Sequence, residues 1–203
     1  MRIGFFGGSF DPPHRGHLAV ARAAAEAFGL DRILLAPTAL QPLKPGGATA
    51  SFNDRLAMVE LLCQGEARLE PSALDAPLGH GDGEPNYTID TLTRLRAGLS
   101  PDATVFVIAG ADAFLDLRRW RSPDSLLAIA EWIVVSRPGF SLTALDALKL
   151  SPGQIARVHL LTGVAQPASA TEVRVCLREG RDCNELVTEP VLEYIQQQHL
   201  YGT

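Results

Sequence analysis

The stretch that most limits what this chain can fold into is Ile3-Gly4-Phe5-Phe6-Gly7-Gly8-Ser9-Phe10-Asp11-Pro12-Pro13-His14-Arg15-Gly16-His17. It reads as a buried strand, a two-glycine turn at Gly7-Gly8, a proline-stiffened bend and a helix opening at His17. Lacking Cβ atoms, Gly7 and Gly8 let the backbone bend sharply and approach a ligand. Turn N–H groups and a helix N-terminus together present donors and partial positive charge, which favours phosphate. Pro12 and Pro13 fix two φ angles and hold His14 in place. His14 and His17 lie three apart at the helix start, so both rings can face one bound anion. Taken singly, a Gly-Gly pair is only a turn and a histidine there only a cap. The spacing also matches neither G-x-G-x-x-G nor G-x-x-x-x-G-K-[ST]. The joint pattern G-x-F-D-P-x-H-x-G-H, after a strand and before a helix, points to a nucleotide-phosphate site.

Downstream, Leu18, Ala21, Ala25 and Phe28 recur at helical spacing, and Gly29 stops the helix. Arg32 to Ala36 is a short apolar run closed by Pro37, which predicts a second parallel strand. A short strand over Ala67 to Pro71, a buried one over Thr104 to Ala109, then Trp132 to Val135 and Arg157 to Leu161 continue the pattern. Helices are predicted between them, including one over Ser141 to Leu150. The alternation predicts an α/β fold: a doubly wound, Rossmann-like parallel sheet with helices on both faces, and ligands at the carboxyl ends of the strands. Residues 1–203 read as a single domain, with about 165–203 forming a small C-terminal helical subdomain.

Composition narrows the partners. A net charge of −5 provides no global basic field for nucleic acid or membrane, so neither is expected. An acidic protein that binds polyphosphate must gather its cations locally, and Lys44 and Lys149 are the only lysines among 18 basic residues. The cysteines Cys63, Cys176 and Cys183 are odd in number and lack metal-type spacing, which predicts reduced thiols. Met1-Arg2 leads straight into a strand, and no apolar run reaches membrane length. A cytoplasmic enzyme is expected, as a monomer or a homo-oligomer.

Further candidates lie along the chain. Asp112 follows Gly110 just past the buried strand, where a carboxylate can cap a helix and accept ribose hydroxyls. Trp120 sits among Arg118, Arg119 and Arg121, which suits either core packing or stacking on a flat heteroaromatic ring. Ser169-Ala170-Thr171-Glu172-Val173-Arg174 opens a helix with two hydroxyls and a cation one turn on. Lys44, between Pro42 and Pro45 in the long Thr38 to Phe52 loop, and Arg137 are the remaining candidate cations.

In order and spacing, these stretches resemble the bacterial nicotinate-nucleotide adenylyltransferases of the H-x-G-H nucleotidyltransferase superfamily. The similarity runs through Gly7 to His17, Asp54-Arg55-Leu56-Ala57-Met58, Asn86-Tyr87-Thr88-Ile89-Asp90-Thr91-Leu92, Gly110-Ala111-Asp112, Trp120, Ser136-Arg137-Pro138-Gly139, Ser169 to Arg174 and Glu189 to Tyr201. The resemblance implies transfer of the adenylyl group of ATP to nicotinate mononucleotide, giving nicotinate adenine dinucleotide and pyrophosphate, with Mg²⁺ held by the ATP phosphates rather than by a protein metal site. It implies a catalytic set of His14, His17, Arg174 and Lys44. ATP would be bound by Gly7, Gly8, Ser9, Phe10, Gly110, Asp112, Arg137, Ser169 and Thr171. Nicotinate mononucleotide would be bound by Tyr87, Thr88, Ile89, Asp112, Trp120 and Arg121, with Trp120 on the pyridine ring and backbone N–H groups near Ile89 and Arg121 on its carboxylate. Relatives commonly carry His before the basic residue of the Lys44 loop; Leu43 stands there in this chain.

The alternatives are a sibling adenylyltransferase for nicotinamide mononucleotide or phosphopantetheine, and a non-catalytic nucleotide-binding regulator. Intact His14, His17 and Arg174 weigh against the regulator. The missing G-x-G-x-x-G weighs against a nicotinamide-dependent oxidoreductase.

Overall fold

The structure, a computed structural model, describes residues 1–40, 48–77, 85–136, 142–164 and 168–203. Six strands form one parallel sheet: β1 (Arg2–Gly8), β2 (Arg32–Pro37), β3 (Leu69–Pro71), β4 (Thr104–Gly110), β5 (Glu131–Val135) and β6 (Val158–Leu161). Their order across the sheet is β3-β2-β1-β4-β5-β6. That is the doubly wound order, with the reversal between β1 and β4. The helices are α1 (Arg15–Ala27), α2 (Phe52–Cys63), α3 (Thr88–Ala97), α4 (Ala111–Leu115), α5 (Pro123–Ile129), α6 (Pro152–Ile155), α7 (Ala170–Arg178) and α8 (Glu189–Gln197).

The side-chain alternation of the strands divides the core. Ile3 and Phe5 of β1 with Val105, Val107 and Ala109 of β4 pack beneath α3, α4 and α5. Phe6, Phe106 and Ile108 face the other side, against α1, α2, α7 and α8. The strands are apolar on both faces because helices cover both. The C-terminal residues Val191, Ile195 and Tyr201 belong to that second layer.

The sheet opens where the winding reverses. β1 pairs with β4 only as far as Phe5↔Val107. Beyond that point β1 stays on β2 through Gly8↔Pro37, and β4 stays on β5 through Gly110↔Val135. The two central strands therefore diverge at their carboxyl ends and leave a crevice, the position where such sheets take ligands.

Four expectations need correcting. Gly7 and Gly8 are the last residues of β1, not a turn; the chain bends beyond the strand, at Asp11 and Pro12, and Phe10 carries φ 46°. A Cβ on Gly7 would stand 3.1 Å from the Phe5 ring and one on Gly8 3.3 Å from the Phe10 ring, so packing accounts for both glycines. The first helix opens at Arg15 rather than His17, with His14 as its N-cap. The helix expected over Ser141 to Leu150 is a 3₁₀ segment, Leu142–Leu148. Cys176 and Cys183 form a disulfide and are not free thiols, while Cys63 is free and buried. Gly180, with φ 63°, reverses the chain after α7 and returns Cys183 to within 6.2 Å (Cα–Cα) of Cys176. Gly180 reads from the sequence as a helix stop, but nothing in the cysteine spacing announced a pairing across it. Among the described residues no helix is long and apolar enough to cross a membrane.

Candidate active site

The crevice is framed by helix starts. His14, in extended conformation with φ −148°, caps α1 and is only 8% exposed. Its main-chain N–H donates to Nδ1 of His17 at 3.2 Å. An accepting Nδ1 leaves the ring proton of a neutral His17 on Nε2. The two imidazoles stack at 3.8 Å between centroids, and the His17 ring lies 4.6 Å from that of Phe10. Burial pulls the His14 imidazole down to about 4. Nδ1 of His14 is buried without a hydrogen-bond partner among the described residues. That nitrogen is enclosed by the first turn of α1, facing the main chain at Gly16 and the His17 N–H.

Gly16 sets how close the second helix comes. A Cβ there would stand 2.9 Å from the Ala168 carbonyl oxygen and 2.9 Å from His14 Nδ1. Only glycine allows residue 168, two before α7, to lie against the first turn of α1. Ser169 then caps α7, its Oγ accepting from the Glu172 N–H at 3.2 Å. Arg174 donates from Nη1 to the main-chain oxygen of Asp11 at 2.6 Å, and Nη2 reaches Thr171 Oγ1 at 3.4 Å. Arg174 thus ties the start of α7 to the main chain just before His14.

Asp11 is the joint between these parts. Its Oδ2 accepts from Thr49 N at 2.7 Å, and its Oδ1 from Ala50 N at 3.0 Å and from the Tyr201 hydroxyl at 2.8 Å. Beside it, the Arg55 guanidinium, 1% exposed, donates to Ser9 O at 2.7 Å, Thr38 O at 2.8 Å and Ala50 O at 3.2 Å. Burial lowers the Arg55 pKa, and the Asp11 charge works against that shift. A buried charge needs such partners. Asp11, Arg55 and Tyr201 had no assigned role in the sequence reading. Asp-Pro reads as a turn, an arginine in a helix reads as a solvated face, and a terminal tyrosine carries no motif chemistry.

The other wall comes from α3 and the segment after α4. Tyr87 caps α3, and Thr88 opens it. The Arg121 guanidinium lies 4.6 Å above the Tyr87 ring and 3.8 Å from the Asp90 carboxylate. Ile89 and Trp120 are half-buried against the same core layer. Trp120 meets Trp132 edge-on at 6.0 Å, which anchors one side of the indole. Asn86 fixes this wall from behind, donating from Nδ2 to the Asp75 and Ala76 carbonyl oxygens at 2.8 and 2.6 Å. Asp75, whose carboxyl burial pushes up, accepts from Thr91 Oγ1 at 2.7 Å. Gly110 is the N-cap of α4, and Asp112 is its exposed second residue rather than the cap. Lys44, Leu43 and Arg137 lie outside the described residues.

A separate cleft of about 400 Å³, lined by Arg96, Thr104, Glu131 and Arg157, sits at the amino ends of the strands. Arg96 and Arg157 already donate to main-chain carbonyls there. The chemistry-bearing residues lie at the opposite edge.

Known proteins share the sequence and the fold. The cytidylyltransferase-like family matches residues 5–175. A protein of Solibacter usitatus is 37% identical over 202 residues, covering 100% of both chains, and one of Gloeobacter violaceus is 41% identical over 98% of this chain and 96% of its own. Both are named probable nicotinate-nucleotide adenylyltransferase. The fold matches Plasmodium falciparum nicotinic acid mononucleotide adenylyltransferase complexed with NaAD, at a TM-score of 0.75 and 19% identity over 98% of this chain and 97% of that one. The chain belongs to the cytidylyltransferase-like family and, within it, to the nicotinate-nucleotide adenylyltransferases.

Proposed function

We propose that the crevice between β1 and β4 transfers the adenylyl group of ATP to nicotinate mononucleotide, giving nicotinate adenine dinucleotide and pyrophosphate. The observation that carries this reading is the junction of two helix starts. His14 and His17 open α1, Ser169, Thr171 and Arg174 open α7, and Arg174 bonds directly to Asp11. Two such starts side by side suit a triphosphate spanning both.

A phosphate oxygen of the mononucleotide attacks the α-phosphorus in line. A new P–O bond forms, the bond to the β-phosphate oxygen breaks, and pyrophosphate leaves with its electron pair. The nucleophile is already ionised near neutral pH, so no strong general base is required; the work is alignment and charge stabilisation. His14 and His17 donate to the phosphate oxygens, and Ser169, Thr171 and Arg174 hold the β- and γ-phosphates. Gly7, Gly8, Ser9 and Phe10 pass beneath the nucleotide. Gly110 and Asp112 serve ribose and nucleotide, and Arg137 and Lys44 supply further positive charge. Trp120 stacks on the pyridine ring, and N–H groups near Ile89 and Arg121 take its carboxylate, with Tyr87 and Thr88 completing that wall.

Magnesium belongs with the triphosphate. The described residues gather no group of three or more His, Cys, Asp or Glu that could hold a metal ion. In this reading phosphate oxygens and water ligate the ion.

Isotopic labelling tests the bond that breaks. Label at the α-phosphorus of ATP must appear in the dinucleotide and label at the γ-phosphorus in pyrophosphate. Transfer of the γ-label to the mononucleotide would overturn the reading.

A further inference from the structure

We propose that Tyr201 is a positioning residue for ATP: its hydroxyl, through Asp11, sets where Arg174 meets the nucleotide phosphates. The inference rests on the reading of Arg174 as a phosphate ligand.

The path is short and fully hydrogen-bonded. Tyr201 donates to Asp11 Oδ1 at 2.8 Å, and Arg174 donates to the main-chain oxygen of the same Asp11 at 2.6 Å. The Asp11 carboxylate also receives the N–H groups of Thr49 and Ala50. Three bonds to the carboxylate and one to the carbonyl leave Asp11 little freedom, so its position dictates that of the guanidinium. Tyr201 lies 190 residues from Asp11 along the chain, and Arg174 163.

The backbone around Tyr201 is held in an unusual shape to achieve this. His199 and Tyr201 both lie in the left-handed region, at φ 50° and 61°. Non-glycine residues persist there only when their surroundings over-determine them, and such positions cluster at functional sites. The ring is 8% exposed, and burial together with the Asp11 charge raises the Tyr201 pKa. The hydroxyl therefore stays protonated and remains a donor at any working pH.

A tyrosine serving only to fill the core would affect both substrates equally. A positioning tyrosine acts on ATP through Arg174. The decisive experiment is a double-mutant cycle on the full chain with Tyr201→Phe and Arg174→Lys, reading both KM values, kcat and the unfolding midpoint. Tyr201→Phe is expected to raise the ATP KM about tenfold while leaving the nicotinate mononucleotide KM within about twofold. In the Arg174→Lys background the same change should add less than about twofold, because the element it positions is already compromised. Asp11→Asn, which keeps the shape and removes the charge, should reproduce the ATP-directed defect, and it carries the test if Tyr201→Phe does not fold. A lowered midpoint with an unchanged ATP KM, equal effects on both substrates, or full additivity would overturn the inference. An Arg174→Lys enzyme with a normal ATP KM would overturn the phosphate role of Arg174, and the inference with it.

Discussion

The His14 and His17 rings stack at 3.8 Å, and the His14 main-chain N–H donates to Nδ1 of His17 at 3.2 Å. One hydrogen bond thus holds the first turn of α1, the tautomer of His17 and the face of His14 that meets it. The pair also has an electrostatic consequence, because burial leaves His14 neutral until the pH falls to about 4.

The sign of that effect on stability follows from linkage. The unfolded chain binds a proton at this histidine near 6.5, and the folded chain refuses it until about 4. The unfolded state therefore carries more protons between those values, and stability falls as the pH is lowered through that window. His14 should account for up to about 3 kcal/mol of loss between pH 6.5 and 4. Denaturant unfolding of wild type and His14→Gln across this range checks it: the variant should show a flatter profile. Parallel profiles would contradict a neutral, buried His14.

Gly16→Ala isolates the contact between the two helix starts. Alanine normally favours a helix over glycine by about 1 kcal/mol, so propensity alone predicts stabilisation. The added Cβ would instead stand 2.9 Å from the Ala168 carbonyl, which is backbone and cannot swing aside. A net loss of about 1–3 kcal/mol and a raised ATP KM are expected, read by unfolding and steady-state kinetics. A more stable variant with normal ATP affinity would mean that α1 and residue 168 are not locked together.

Arg55 is a structural cation. Arg55→Met leaves the carbonyls of Ser9, Thr38 and Ala50 without their buried donor and the Asp11 charge less compensated. The expected cost is about 3–5 kcal/mol in denaturant unfolding. Lysine should recover only part of it, since one ammonium cannot reproduce the planar fork of a guanidinium. A loss below about 1 kcal/mol would show that water replaces the donor.

Trp120→Ala separates stacking from packing. Loss of an aromatic platform under the pyridine ring is worth about 1–3 kcal/mol, which is about 5- to 150-fold in the mononucleotide KM. The ATP KM should move little. Equal changes in both constants would return Trp120 to a packing role against Trp132.

Much of this architecture was legible in the sequence, for definable reasons. Buried parallel strands such as Thr104 to Ala109 are continuous apolar runs, and Ser169 announces a helix start by local capping chemistry. The His14 and Arg174 segments were readable because their residues lie close together along the chain. What stayed hidden depends on contacts between distant segments. Asp11 acquires its role from residues 49, 50, 174 and 201, and Arg55 from 9 and 38. Gly7 and Gly8 look like a turn until the Phe5 and Phe10 rings are seen over them. The Cys176–Cys183 bond is local, closing seven residues across the stop at Gly180, and the odd cysteine count hid it.

The most direct measurement is pyrophosphate release with ATP and Mg²⁺, comparing nicotinate mononucleotide, nicotinamide mononucleotide and phosphopantetheine in parallel. Nicotinate mononucleotide should be the preferred acceptor, with the largest kcat/KM of the three. Preference for the amide or for phosphopantetheine would contradict the acceptor assigned to the wall of Ile89, Trp120 and Arg121, and no turnover with any acceptor would contradict adenylyl transfer itself.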